Sequence, residues 1–266
     1  MSAGSELRRK LRAGVARRRI QPLAERVHGW SLMALGIGGA TRPLTANGES
    51  HFIASLAAAS GGAPVTCLDV GANLGDYTQL LVDAFGPSAT VHAFEPAADV
   101  HRATAGRFAS VPGVTVHRTA LGAVSGSLTL HSSEGRTQIA SVYGFDCDDG
   151  PGAVSETVPV TTLDAWVASV GLGDVLLLKV DVEGAECDVL DGATDLLASG
   201  RVANVQFEYG AQNLRSGKRM QDILDRLGPD YRLHRMVVDG LVPVRPGSSL
   251  LELPVSATNY VAVRRA

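Results

Sequence analysis

Several absences narrow this sequence before any motif is read. No apolar run reaches the length of a membrane span, and the segment from Trp30 to Ile37 is too short and too glycine-rich for a signal sequence with a cleavage site. Cysteine is scarce. Cys67, Cys147 and Cys187 have neither metal-ligand spacing nor an even count, which argues against a disulfide framework and fits a reducing, cytoplasmic setting. Cys67 falls in an apparent core strand, where a thiol behaves as a small hydrophobe. Positive charge is sparse over most of the chain: the net charge is −3, yet Arg8, Arg9, Lys10, Arg12, Arg17, Arg18, Arg19 and Arg26 crowd the first thirty residues against only Glu6 and Glu25. The remainder is therefore strongly acidic, and nothing global points to nucleic acid.

What is present suits one large domain with an appendage: 266 residues, 45% of them apolar, can bury a full core. In the basic start, Leu7, Leu11, Val15 and Ile20 recur at roughly helical spacing. A basic amphipathic helix there could rest on an anionic membrane surface or a partner, or hold an acidic substrate; a solvated helix or disordered arm is the competing reading. An organelle transit peptide shares the arginine bias, but the two acids and the lack of a serine-rich stretch count against it. Gly36 to Gly48 reads as a hinge, and Glu49 to Ser60 as an alanine-rich helix that opens the main domain.

The stretch Val65-Thr66-Cys67-Leu68-Asp69-Val70-Gly71-Ala72-Asn73-Leu74-Gly75-Asp76-Tyr77-Thr78 reads as buried strand, tight loop and helix, the place where a doubly wound sheet binds a nucleotide-like ligand. Its spacing is Asp-x-Gly-x-x-x-Gly, without the glycine pair that wraps a pyrophosphate in dinucleotide folds. Asp69 ahead of the loop favours a cationic ligand and would repel phosphate. S-adenosylmethionine carries an ammonium, a sulfonium and no phosphate. Thr90 to Phe94 is a second strand that ends on Glu95-Pro96, placing a carboxylate where it can accept both hydroxyls of a ribose. Thr119-Ala120-Leu121-Gly122 falls where such a sheet lays a loop against adenine.

Ser127 to His131 is a further strand. The polar, glycine-rich segment from Ser132 to Glu156 then reads as a substrate lid, and its Asp146, Asp148 and Asp149 lack the glycine and glutamate spacing of a calcium loop. In Asp174 to Glu186, Val175 to Leu178 is apolar on both faces, as a central parallel strand should be. Lys179, Asp181 and, if extension persists, Glu183 then point one way at the strand's carboxyl end. Lys179 and Asp181 are natural partners, because a charge near a buried strand is costly unless paired. Glu186 falls in the first turn of the next helix and suits a structural cap. Val202 to Tyr209 is the neighbouring strand, with Glu208 at its carboxyl end. Tyr231 to Met236 and Asn259 to Val263 can form an antiparallel terminal hairpin, and Pro243 to Pro254 is a second candidate for the substrate rim.

Together, Leu68-Asp69-Val70-Gly71-Ala72-Asn73-Leu74-Gly75-Asp76, Phe94-Glu95-Pro96, Thr162-Leu163-Asp164, Lys179-Val180-Asp181-Val182-Glu183-Gly184-Ala185-Glu186 and Phe207-Glu208 resemble the FkbM-type S-adenosylmethionine-dependent methyltransferases over about residues 64 to 210. The resemblance implies an α/β, Rossmann-like class I methyltransferase: a seven-stranded, mostly parallel sheet with an antiparallel terminal hairpin, here behind a helical, basic N-terminal extension at 1–48. The methyltransferase domain then covers 49–266, with the lid at 132–156. It also implies O-methyl transfer to a hydroxyl of a sugar, glycolipid or secondary-metabolite scaffold, and places cofactor contacts at Asp69, Gly71, Asn73, Gly75, Glu95 and Asp181. Ala120 and Leu121 join these from the adenine loop. Residues 1–48 and the lid have no counterpart in the family.

On the acceptor side, Asp181 is the first choice for removing the hydroxyl proton, with Glu208 and Glu183 behind it and Lys179 orienting the carboxylates. His131, beside the lid, is a weaker base candidate. Asp181, Glu183 and Glu208 could instead hold a divalent cation such as Mg. Other readings are a binding module that keeps the cofactor and lacks catalysis, a NAD or nucleotide-sugar protein, and a nucleic-acid methyltransferase. The last is disfavoured because Asp181-Val182-Glu183-Gly184 stands where base-modifying enzymes carry Asn/Asp-Pro-Pro-aromatic. The expected partners are thus a small-molecule or glycan acceptor and, through the basic start, an anionic or peripheral membrane contact; a homodimer is compatible with all of this.

Overall fold

A computed structural model of the chain describes residues 18–133, 136–141, 153–245 and 257–265. The expected stripe of Leu7, Leu11 and Val15, the Asp146 to Asp149 turn with Cys147, and most of the Pro243 to Pro254 rim lie outside the described residues.

Two helices, α1 (Gln21–Ala34) and α2 (Glu49–Ser60), precede the sheet. Strand β1 (Val65–Val70) leads through the glycine loop into α3 (Asp76–Phe85), followed by β2 (Ala89–Phe94), α4 (Ala98–Phe108) and β3 (Val114–His117). β4 (Ala120–Leu121), β5 (Gly126–Ser133), β6 (Arg136–Ser141) and β7 (Ala153–Thr161) come next, then α5 (Leu163–Val170) and β8 (Val175–Val180). Helices α6 (Glu186–Asp191) and α7 (Thr194–Ala198), β9 (Val202–Tyr209), α8 (Ala211–Arg215), α9 (Met220–Leu227), β10 (Tyr231–Val237), β11 (Gly240–Pro243) and β12 (Thr258–Arg264) complete the order.

The main sheet has the order β11-β10-β12-β9-β8-β1-β2-β3. β3, β2, β1, β8 and β9 are parallel neighbours, and β12 inserts antiparallel between β9 and β10. The terminal antiparallel pair is the one expected. An eighth strand, β11, turns back onto the outer edge of β10 and was not foreseen. The chain winds from β1 outward through β2 and β3, then crosses back to start again at β8, so β1 and β8 flank the switch point where such sheets open a crevice at their carboxyl ends.

Each face of the sheet is covered, which explains the nearly continuous apolar runs of β1 and β8. One core gathers Leu68, Val70, Leu178 and Val180 under α5, α6, α7 and α9, through Leu163, Leu190, Leu196 and Ile223. The other packs Cys67, Val91 and Leu177 against Phe52, Ile53, Tyr77 and Leu81 of α2 and α3. Local chemistry fits these placements. Thr162 Oγ1 accepts from Ala165 N at 3.1 Å and caps α5. The Asp164 carboxylate accepts from the N–H groups of Asp195 and Leu196 at 2.9 and 2.8 Å, tying α5 to the start of α7. Thr162-Leu163-Asp164 is thus a structural clasp. After β8 the chain forms two short helices, α6 and α7, broken at Gly192, where an added Cβ would come within 2.1 Å of the Gly122 carbonyl oxygen.

The segment read as a lid is only partly what was expected. Ser132–Ser133, Arg136–Ser141 and Ala153–Glu156 belong to a second sheet, ordered β4-β7-β5-β6, in which β5 and β7 pair antiparallel from Gly126↔Val160 to Ser133↔Ala153. Leu128, Leu130, Val158 and Val160 alternate onto one face with Ala120 beneath them. One buried face is enough for an antiparallel sheet, so few apolar residues are needed.

Candidate active site

A pocket of about 260 Å³ opens at the switch point. Its walls include the loop Gly71 to Leu74, Glu95-Pro96, Thr119 to Leu121, Lys179, Asp181 to Glu183 and Glu208. Sequence-distant Ala40, Leu44, Glu49 and Asn259 complete it.

The glycine loop is held by backbone geometry. Gly71 has φ +80°, and both Gly71 N and Ala72 N donate to the Phe94 carbonyl at 3.0 Å. A Cβ on Gly71 would lie 1.8 Å from the Asp181 carbonyl oxygen, so this glycine permits β1 and β8 to meet at their ends. Asn73 adopts a left-handed conformation (φ +48°), tolerable for this residue type. Its N–H donates to Glu95 Oε2 at 3.0 Å, while Ala97 N donates to Glu95 Oε1 at 2.9 Å. Glu95 therefore braces the loop while keeping lone pairs toward the pocket, and burial raises its pKa, an effect that the Ala97 and Asn73 N–H groups oppose. Asn73 Oδ1 is buried with no hydrogen-bond partner, an acceptor left over for a ligand N–H.

Two of the expected cofactor contacts are placed elsewhere. Asp69 is fully buried beneath the pocket floor and is not on its wall: Oδ2 accepts from Thr78 Oγ1 at 2.7 Å and Oδ1 faces Lys179 Nζ at 3.4 Å. Gly75 also leaves the wall; its φ of +82° and a would-be Cβ 2.4 Å from the Phe108 ring show that it serves packing against α4. Gly71, Asn73, Glu95, Ala120, Leu121 and Asp181 do line the pocket.

Lys179 is the hub of the acidic side. Its ammonium lies 3.4 Å from Asp69, 3.3 Å from Asp181 and 4.8 Å from the centre of the Tyr77 ring. Burial disfavours its charge, yet Asp69, Asp181 and Glu49 more than offset that and hold its pKa above the usual lysine range. The pairing of Lys179 with Asp181 stands as expected, with Asp69 as an additional partner. Extension does not persist to Glu183: β8 stops at Val180, and Glu183 turns into the left-handed region at φ +52°. For a glutamate this is a strained backbone, held where the chain bends around the pocket. Glu186 is the cap foreseen, accepting from Val182 N and Gly184 N at 3.2 Å each, with Asn213 Nδ2 on its other oxygen; burial pushes it up to about 7.

Glu208 departs from the role of ready base. Burial, then the neighbouring charges of Asp181 and Glu183, push it up to about 9, so it holds its proton at neutral pH. His131 is not on the pocket wall; its Nδ1 lies 3.1 Å from Ser155 Oγ on the second sheet. The divalent-cation expectation finds no support. Among the described residues no group of three or more His, Cys, Asp or Glu is arranged to hold a metal, and the Lys179 ammonium already sits against Asp181.

Sequence reading missed a buried polar chain behind this wall. Gln206 Nε2 donates to Glu49 Oε1 at 2.6 Å, Tyr77 Oη donates to Gln206 Oε1 at 2.5 Å, and Asn47 Nδ2 donates to Glu49 Oε2 at 2.5 Å. Burial raises Glu49, while Lys179 and Asn47 pull it back. The one clue in the sequence is the pattern Asn47-Gly48-Glu49 ahead of a helix. Asn259, opposite Glu208 across β9 and β12, was also missed, as were Ala40, Leu44, Leu128 and Leu130 on the wall.

The strand order and the pocket at its switch point define the Rossmann-like class I methyltransferase fold. The methyltransferase FkbM domain matches residues 69–234, more than half of the chain, and the chain belongs to that family. It is 33% identical over 149 residues to Methyltransferase 1 of Beauveria bassiana, an alignment covering 48% of this chain and 58% of that protein. It is 26% identical over 182 residues to the 2-O-methyltransferase NoeI of Sinorhizobium fredii, covering 62% of this chain and 72% of that one. A solved SAM-dependent O-methyltransferase from Thermotoga maritima aligns at a TM-score of 0.41 with 15% identity, over 82% of this chain and 65% of that one.

Proposed function

We propose that the chain transfers a methyl group from S-adenosylmethionine to a hydroxyl oxygen of a sugar, glycolipid or secondary-metabolite acceptor. The observation that carries this is the charge of the pocket. Lys179 is neutralised by Asp69 and Asp181, so the wall offers the carboxylates of Glu95, Asp181 and Glu49 without a spare cation at the glycine loop. Such a wall suits a sulfonium and an ammonium and disfavours the pyrophosphate of NAD or a nucleotide sugar. The residues fit the cofactor: Glu95 for the ribose hydroxyls, Ala120 and Leu121 for the adenine face, and the unpartnered Asn73 Oδ1 for the amino group.

When bound, S-adenosylmethionine supplies an already activated methyl group. The chain's own task is to align an acceptor oxygen and take its proton. Asp181, at the junction of both halves of the pocket and oriented by Lys179, is the residue assigned to the proton, with Glu183 beside it. Glu208, protonated before a cation enters, acts first as a hydrogen-bond donor. The 2-O-methyltransferase named above supports an oxygen acceptor. Isothermal titration should show S-adenosylmethionine binding and NAD not binding. Turnover with a panel of glycosides should then release S-adenosylhomocysteine; tight NAD binding with no response to S-adenosylmethionine would reject the reading.

A further inference from the structure

Among the described residues, helix α1 differs from every other long element. It runs for 14 residues and buries none of them. What holds it to the body comes after it: Gly36 packs so closely on β10 that a Cβ would meet the Met236 carbonyl at 2.8 Å, Gly38 N donates to Thr258 Oγ1 at 3.0 Å, and Ala40 N donates to the Ala257 carbonyl at 3.2 Å. A helix of this length is marginal on its own in water and takes its stability from whatever covers its apolar face.

That face is on the surface. Leu23, Val27 and Trp30 follow one another at i, i+4 and i+7, with Met33 beside them, and they are 63%, 54%, 69% and 49% exposed. Gly29 and Leu32, the half-buried positions of the helix, lie away from this stripe. Charge divides in the same way. At 100° per residue Arg26 borders the exposed stripe and Glu25 faces away from it, while exposed Arg18 and Arg19 stand immediately before the helix. Arg8, Arg9, Lys10, Arg12 and Arg17 extend the positive charge in the sequence, whereas the rest of the chain is acidic.

We propose that α1 docks in the plane of an anionic lipid surface, with Leu23, Val27 and Trp30 among the acyl chains and Arg18, Arg19 and Arg26 at the phosphates. An apolar stripe ending in tryptophan and edged by arginine is complementary to an interface that is apolar below and anionic above. No helix among the described residues is long and apolar enough to cross a membrane, so the contact is peripheral. The inference does not depend on the transfer chemistry.

The test uses the full chain with vesicles of phosphatidylglycerol and phosphatidylcholine, and with phosphatidylcholine alone. Co-sedimentation is expected only with the anionic vesicles, accompanied by a blue shift of Trp30 emission and reversed by salt. The other tryptophan, Trp166, is buried and supplies a constant background. Leu23→Ser with Trp30→Ser, and separately Arg19→Glu with Arg26→Glu, should each weaken partitioning by about tenfold or more. Melting temperature should stay unchanged, because none of these side chains is buried. The proposal is overturned by equal sedimentation with both vesicle types, by unmoved emission, or by a concentration-dependent dimer that Trp30→Ser dissolves without any lipid binding.

Discussion

The two sides of the pocket are made in different ways. On the glycine-loop side, Gly71, Asn73 and Glu95 are close in sequence and are joined by hydrogen bonds to backbone N–H groups, so the shape is a property of one β-loop-α-β unit. On the acidic side, Glu49, Asp181, Glu208 and Asn259 come from four segments spread along the chain, and carboxylates sharing a single ammonium decide its character. The first side lies within the family match at 69–234; Glu49 and Asn259 lie outside it.

Substitutions can break this contrast. Asp181→Asn should lower kcat by roughly 10²- to 10⁴-fold, the usual contribution of a general base, and near-normal single-turnover methyl transfer would remove Asp181 from that role. Lys179→Met strips a buried carboxylate of its counter-ion. It should cost about 3 kcal/mol in urea unfolding despite the Thr78 hydrogen bond left to Asp69. Glu95→Gln acts on the cradle alone: Asn73 N and Ala97 N bond to different carboxylate oxygens, and the amide turns an NH2 donor toward one of them, so cofactor affinity measured by calorimetry should fall about tenfold, with little change in how acceptors are ranked.

A pH dependence sharpens the electrostatic side. In the unfolded chain Glu208 ionises near 4.5, whereas the folded protein keeps its proton up to about 9. The folded state thus loses stability as pH rises through that interval. Glu208→Gln removes the loss, so the variant should melt higher than the parent at pH 8 and much closer to it at pH 5. An equal gain at both values would mean that Glu208 is not held protonated.

Much of the cradle could be read from residue order, because its signals are local: apolar runs for β1 and β8, glycines at a positive φ, a proline that stops β2 after Glu95. The same reasoning misassigned Asp69 and Gly75, since spacing shows that a residue is near a loop and not whether it faces ligand or core. It also read Ser127 to His131 as a strand without foreseeing that Ala153 to Glu156 pairs with it and its continuation in a second sheet, a ladder made by main-chain bonds.

Residue order by itself therefore determined the class of sheet, the place of the glycine loop and the pairing of Lys179 with Asp181, all governed by periodicities of a few residues. Only the tertiary structure decided the rest. Gln206 reaches Glu49 across 157 positions and Tyr77 across 129, and β12 brings Asn259 beside Glu208. Such contacts leave no periodic trace, because they arise when the sheet closes and buried polar groups must find partners wherever the fold has carried them.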